Sequence, residues 1–210
     1  MGMNVIVTAG PTREYIDTVR FITNASSGRM GYACAAAAIE AGHHVTLITG
    51  PVSLQPPAVA EVVRFVGVAD LRSALEERFD GCDALIMAAA VGDFTVAGPR
   101  RSKIPRSGGP VQITLVPTED ILAALGARRR AGQVLVGFAL EDDAEVEKAR
   151  REMAAKGCDY VVLNRPAAMS AEVSEACIIS RAGIVLPWAA RPKEELARHI
   201  IALLAGPREG

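Results

Sequence analysis

Short apolar runs alternate with stretches of helical spacing along this chain, and that alternation predicts its elements. Asn4-Val5-Ile6-Val7-Thr8 reads as a buried strand that stops at Ala9-Gly10-Pro11-Thr12, where Gly and Pro end any regular element. A polar stretch with Arg13, Asp17, Arg20 and Asn24 follows, then Ala25-Ser26-Ser27-Gly28-Arg29-Met30, which runs into an alanine-rich helix over Gly31–Ala41. Val45–Thr49, Glu61–Val66, Ala84–Ala88, Val134–Phe138 and Tyr160–Leu163 read as further strands. Between them, Asp70–Phe79, Glu119–Arg130 and Asp143–Lys156 carry apolar residues at helical spacing. Cys177–Ser180 and Ile184–Leu186 form a hairpin around Arg181-Ala182-Gly183, and Pro192–Leu204 closes the chain as a helix.

Strands alternating with helices imply an α/β fold: a Rossmann-like, mostly parallel sheet with helices on both faces and the late hairpin as an antiparallel extension. One segment breaks the pattern. From Asp93 to Pro110 the chain is polar, punctuated by Gly and Pro, and basic at Arg100-Arg101-Ser102-Lys103-Ile104-Pro105-Arg106. It shows neither period and is expected to be a mobile, lid-like segment near 93–110 of a single domain spanning 1–210. Val111–Leu115, just after it, alternates as a half-exposed strand would.

In open parallel sheets, ligands bind beyond the carboxyl ends of the strands. That rule collects the loops after Thr8, Thr49, Ala88 and Phe138. The first is the most suggestive. Strand, small residues and helix start are how an α/β protein presents backbone N–H groups to an anion, although a long loop with an ordinary serine helix cap has the same composition. Asp93, directly after a buried strand, suits ribose hydroxyls or a metal-bound phosphate, and would equally cap a turn. A flexible Lys103 can neutralise a leaving pyrophosphate, and would equally be one of a solvated charge run. Gly137-Phe138-Ala139-Leu140-Glu141 ends a strand on an acid, which is either a site element or simple strand termination.

Composition narrows the classes. With 23 basic and 24 acidic residues the net charge is −1, so nothing draws this chain to nucleic acid or a membrane surface. No apolar run approaches a membrane span, and with a strand directly at the start no secretory signal is expected. Cys34, Cys82, Cys158 and Cys177 are widely spaced, as buried free thiols of a reducing, cytoplasmic compartment would be. The three histidines make no zinc pattern, and neither a P-loop nor a G-x-S-x-G elbow occurs. The first turn also lacks G-x-G-x-x-G, which counts against an NAD(P)-dependent oxidoreductase. A nucleotide-binding protein without catalysis stays open on these grounds.

Taken as blocks, Val7-Thr8-Ala9-Gly10-Pro11-Thr12-Arg13-Glu14, Asp17-Thr18-Val19-Arg20-Phe21-Ile22-Thr23-Asn24 and Ser26-Ser27-Gly28-Arg29-Met30-Gly31 resemble phosphopantothenoylcysteine synthetase, the phosphopantothenate–cysteine ligase of coenzyme A biosynthesis. Leu47–Leu54, Ala89–Phe94, Lys103-Ile104 and Val136–Ala139 resemble its later blocks, so the likeness runs along essentially the whole chain. It implies a two-step reaction. CTP activates the carboxylate of 4'-phosphopantothenate as an acyl-nucleotidylate, with Mg²⁺, and the amine of cysteine then forms the amide.

By the same resemblance, Asn24 grips the acyl intermediate with Arg20 beside it, and Lys103 serves the first step. Ser26, Ser27, Gly28 and Arg29 line a phosphate, together with the turn at Gly10. Asp93 holds the ribose, and Ala89 and Phe138 lie near the base. A homodimer is implied; in the sequence itself, the strand Val111–Leu115 and the hairpin near Gly183 are the candidate interface elements. In many bacteria the ligase is fused to a flavin-dependent decarboxylase; a chain that starts at the ligase is expected to carry no FMN. The chain departs from the family pattern at Ala25, where His is frequent, at Arg29 for Lys, at Gly92, and at Pro105-Arg106 for a Lys pair.

Overall fold

The computed structural model describes residues 2–106, 109–140, 146–165 and 173–206. In chain order the strands are β1 (Asn4–Ala9), β2 (Arg13–Tyr15), β3 (Phe21–Thr23), β4 (His44–Thr49), β5 (Glu61–Arg64), β6 (Ala84–Met87), β7 (Phe94–Val96), β8 (Leu115–Pro117), β9 (Val134–Leu140), β10 (Tyr160–Asn164), β11 (Val173–Ser180) and β12 (Gly183–Pro192). The helices are α1 (Arg29–Glu40), α2 (Val68–Glu76), α3 (Ile121–Ala127), α4 (Val146–Ala155) and α5 (Lys193–Leu203).

Eight strands form one sheet in the order β12-β11-β10-β9-β6-β1-β4-β5. Pairings from β5 across to β10 are parallel, and β11 and β12 extend the sheet antiparallel. The alternation of side chains sorts the core into two layers. Val5, Val7, Val45, Leu47, Ile86, Val136, Val162 and Ile178 face α1 and α5. Ile6, Ile48, Leu85, Leu135, Leu163 and Ile179 face α2, α3 and α4. Both faces are covered, which is why the strands read as continuous apolar runs. The fold is α/β and Rossmann-like, with the antiparallel extension.

α1 lies unusually near the sheet because its inward positions are Gly31, Cys34, Ala35 and Ala38. From β1 the chain steps out to β4 and β5, then returns to β6 on the other side of β1. The order reverses there, and at such a switch point the loops leave the carboxyl edge in opposite directions and open a crevice.

Several expectations need correction. The stretch after Thr12 is not a plain loop: β2 and β3 pair antiparallel, with Tyr15 and Phe21 edge to face at 5.5 Å and the Arg13 guanidinium 4.5 Å over the Phe21 ring. Phe94–Val96, where the sequence shows no strand period, pairs with Leu115–Pro117 as a ribbon. The strand expected at Val111–Leu115 therefore begins only at Leu115. Val111, Ile113, Leu115 and Val116 are all exposed, so no buried face stands behind the alternation. β11 and β12 run well beyond the expected hairpin. Glu141 and the start of the expected 143–156 helix lie outside the described residues.

Candidate functional site

A cleft of about 930 Å³ lies along the carboxyl edge of the sheet, bordered by the residues after β3, the start of α1, the loop after β6, the end of β9 and the first turn of α3. Backbone pairing builds its floor. Ala90 N–H donates to the Gly10 carbonyl (2.9 Å) and Thr12 N–H to the Ala90 carbonyl (3.2 Å), so β1 and β6 continue as a zipped pair past their formal ends. The buried Thr8 hydroxyl accepts from Ala89 N–H at 3.0 Å, and the Thr12 hydroxyl accepts from Gly92 N–H at 2.9 Å. Thr118 holds the other end, its hydroxyl donating to the Gly92 carbonyl at 2.6 Å. With its backbone satisfied in this way, the Ala88–Asp93 loop is a fixed wall.

Asn24 leaves β3 straight into the cleft. Its side-chain N–H donates to the Val91 carbonyl at 3.1 Å, which pins the amide head against that wall. α1 begins at Arg29 after Gly28, which has a left-handed backbone (φ 78°), and no side-chain cap bonds to this helix start. The serine-cap reading of the loop is thereby set aside; Ser26 instead accepts from Gly28 N–H at 3.3 Å. The first turn of α1 holds no acid, and its first residue is itself a cation, Arg29. Positive charge at the positive end of a helix dipole works against stability and favours an anion.

A residue without a sequence signal stands in the same cleft. Lys193 opens α5, is only 4% exposed, and its ammonium donates to the Ser174 hydroxyl at 3.1 Å. Burial, and then the charge of Arg29 nearby, pull its pKa below the ordinary lysine range, with Glu194 opposing. Two cations at two helix starts are thus within electrostatic reach of each other. Asn164, at the end of β10, lines the cleft too, and its buried Oδ1 has no hydrogen-bond partner among the described residues. A ligand N–H or O–H would satisfy it. The cleft also reaches apolar side chains on the α3/α4 face of the sheet, Leu122, Ala149, Met153 and Val161, whereas Phe138 packs on the α1/α5 face.

Of the residues expected from sequence, Asn24, Ser26, Gly28, Arg29, Ala89, Asp93 and Phe138 come together along this cleft. Ser27 faces a shallower depression that Ser26 and Arg29 share with Pro51–Leu54. Gly10 lies beneath, as the left-handed turn (φ 79°) that ends β1. Arg20 and Lys103 are outside the cleft walls: Arg20 pairs with Asp17, and Lys103 is exposed on the neighbouring segment.

Among the described residues no group of three His, Cys, Asp or Glu side chains could hold a metal, and no helix is long and apolar enough to cross a membrane. All four cysteines are buried free thiols. Burial pushes Cys34 up to about 12 and, as the leading cause, Cys82, Cys158 and Cys177 to about 11, so none is a nucleophile at neutral pH.

Sheet order, crevice and helix starts define a doubly wound α/β protein with a cleft at its switch point. More particularly, the chain belongs to the DFP family, the DNA/pantothenate metabolism flavoprotein C-terminal domain, whose model matches residues 1–206. It is 32% identical to the crystal structure of the C-terminal domain of coenzyme A biosynthesis bifunctional protein CoaBC, with a TM-score of 0.78 over 97% of this chain and 94% of that one. It is 46% identical over 164 residues to CoaBC of Bacillus subtilis (strain 168), a match covering 78% of this chain and 40% of that protein. A cysteine/cysteine sulfinic acid decarboxylase from an unknown prokaryotic organism is 42% identical over 205 residues, or 95% of this chain and 57% of that protein. The chain thus spans about half the length of the curated relatives it matches.

Proposed function

We propose that this chain is a phosphopantothenate–cysteine ligase of coenzyme A biosynthesis, using CTP to activate the acid. The observation that carries the reading is the convergence of Asn24, the uncapped start of α1 with Arg29, Asp93 and Phe138 on one cleft. Its volume of about 930 Å³ is near the top of the usual range for small-molecule sites, as two substrates require. The likeness to the CoaBC C-terminal domain supports the same class of chemistry.

In the first step a carboxylate oxygen of 4'-phosphopantothenate attacks the α-phosphorus of CTP; the acyl–phosphate bond forms as the bond to pyrophosphate breaks. In the second, the amine of cysteine attacks the acyl carbon, the amide C–N bond forms, CMP leaves and the nitrogen loses a proton. The backbone N–H groups of the α1 start, with Ser26, Ser27, Gly28 and Arg29, hold phosphate above the turn at Gly10. Asp93 takes the ribose hydroxyls, and Ala89 and Phe138 border the base. Asn24, fixed through Val91, holds the activated acyl group for attack, with Arg20 beside it. Lys103 reaches the site as a lid residue, where its charge offsets that of the departing pyrophosphate.

Mg²⁺ fits this site as an ion carried on the triphosphate, since the described residues offer no protein cage. Neither step moves electrons to a carrier, so the reaction calls for no flavin. The buried thiols suit a cytoplasmic enzyme. The exposed apolar side chains of Phe94, Leu115 and Val116 on the β7–β8 ribbon suit a homodimer contact.

Pyrophosphate release should require CTP, phosphopantothenate and Mg²⁺, and should be faster with CTP than with ATP. Release that ignores phosphopantothenate would remove the ligase reading. Lys103→Gln should slow release by about a thousandfold while leaving nucleotide binding in place.

A further inference from the structure

We propose that Asp17 is a positioning residue for this reaction: its buried carboxylate fixes where the Lys103 segment stands relative to Asn24. The part given to Lys103 rests on the ligase reading, whereas the grip itself rests on geometry alone.

Asp17 lies in the turn between β2 and β3 and is 1% exposed. Its Oδ1 accepts from the Val19 and Arg20 backbone N–H groups, both at 2.8 Å. Its Oδ2 accepts from Arg20 Nε at 2.9 Å and, far along the chain, from the Ile104 backbone N–H at 3.0 Å. Arg20 completes the grip, with Nη2 donating both to Asp17 Oδ2 and to the Ile104 carbonyl, the latter at 2.7 Å. Both polar groups of one peptide residue are therefore held by one ion pair. A second stitch lies nearby, where Arg100 N–H donates to the Ile16 carbonyl at 2.9 Å.

Burial alone would raise the Asp17 pKa, but these donors, Ile104 first among them, hold the group well below the usual carboxylate range and keep it charged. Lys103 directly precedes Ile104, so its Cα stands about 3.8 Å from that of the gripped residue. On the other side, β3 runs from the same turn to Asn24. One carboxylate thus links the two segments that carry the two steps. The grip uses only Ile104 main-chain atoms, which leaves the Lys103 side chain free to project. Arg20 takes part in the grip through Nε and Nη2, so it helps to hold the segment as well.

The test compares wild type, Asp17→Asn, Arg20→Gln, Lys103→Gln and the Asp17→Asn/Lys103→Gln double variant in the full chain. Native trypsin cleavage at Arg100, Arg101, Lys103 and Arg106 reads the grip, alongside CTP-dependent pyrophosphate release and CTP binding. Asp17→Asn should speed cleavage in this segment at least about tenfold, because cleavage follows the population of the released segment. It should lower kcat for pyrophosphate release by about a hundredfold, the scale of a misplacement of about 1 Å, with CTP affinity unchanged. The double variant should be no slower than Lys103→Gln. Unchanged cleavage, or losses that multiply in the double variant, would overturn the proposal. Should Asp17→Asn not fold, Arg20→Gln, altered at a half-exposed side chain, carries the same predictions. If Lys103→Gln releases pyrophosphate like wild type, the ligase assignment of Lys103 fails, and the cleavage pattern alone decides whether Asp17 holds the segment.

Discussion

Adding one methyl group at Gly31 should lift α1 off the sheet. A Cβ at this position would stand 2.5 Å from the Ala9 Cβ, 2.7 Å from the Thr8 carbonyl oxygen and 3.0 Å from the Ala9 Cα. Ordinary carbon contacts lie at about 3.5–4.0 Å, so about 1 Å of displacement is needed. The obstructing atoms belong to β1, hydrogen-bonded on both sides to β4 and β6, and cannot swing aside. The helix must move instead. Overpacking of this kind costs about 1–3 kcal/mol. At about 2–4 °C per kcal/mol for a chain of this size, Gly31→Ala should lower the thermal midpoint by about 2–12 °C. The start of α1 moves with it, so ligase turnover should fall by up to about a hundredfold even well below the midpoint. Gly81→Ala is the control, because a Cβ there meets nothing within 4 Å, and its midpoint should stay within about 2 °C of wild type. Scanning calorimetry and a turnover assay on the three proteins decide the matter. A Gly31→Ala protein with the wild-type midpoint and rate would refute the claim that this contact seats the helix.

Other outcomes follow from the same geometry. Asn24→Ala should still release pyrophosphate but form little amide, which rapid-quench separation of the two steps would show; equal loss of both steps would contradict its role with the acyl group. Lys193→Met should weaken binding of tripolyphosphate or of the phosphorylated acid by about tenfold, the worth of one charge-assisted contact, measured by calorimetry, while pantothenate lacking the phosphate is unaffected. The raised thiol pKa values set an alkaline limit. A thiol whose folded pKa lies above its unfolded value stabilises the fold fully below about 9, and that stability drains away as pH rises toward about 11 to 12. The thermal midpoint should therefore fall steadily above pH 9, and at pH 8 the native protein should resist iodoacetamide at all four cysteines. On the proposed homodimer, wild type should sediment as a dimer and Phe94→Glu as a monomer, and an unchanged sedimentation coefficient would remove the β7–β8 ribbon from the interface.

How far the sequence exposed these features depended on the range of the interactions behind them. β1, β4, β6 and β9 were legible because burial on both faces turns a strand into an apolar run. From those runs, the strand-end rule pointed to the segments after β1, β6 and β9, which border the cleft, and to the loop after Thr49, which borders the separate shallower depression instead. The β2–β3 hairpin and the β7–β8 ribbon were not legible, since strands of three residues carry no period; pairing and the Arg13–Phe21–Tyr15 contacts hold the hairpin. Lys193 followed by Glu194 and Glu195 resembles a solvated charge run, and only the packing of α5 on α1 and β11 reveals it as buried. Asp17 stood in a conspicuous motif, yet its partner Ile104 is far away in sequence and offers only backbone atoms, which no motif can encode.

The most direct test of the ligase account is mass spectrometry of a reaction containing this chain, CTP, Mg²⁺, 4'-phosphopantothenate and cysteine. The account predicts 4'-phosphopantothenoylcysteine with one equivalent each of CMP and pyrophosphate, and no product when any one component is omitted. Absence of that amide from the complete mixture, with ATP substituted as well as with CTP, would contradict it.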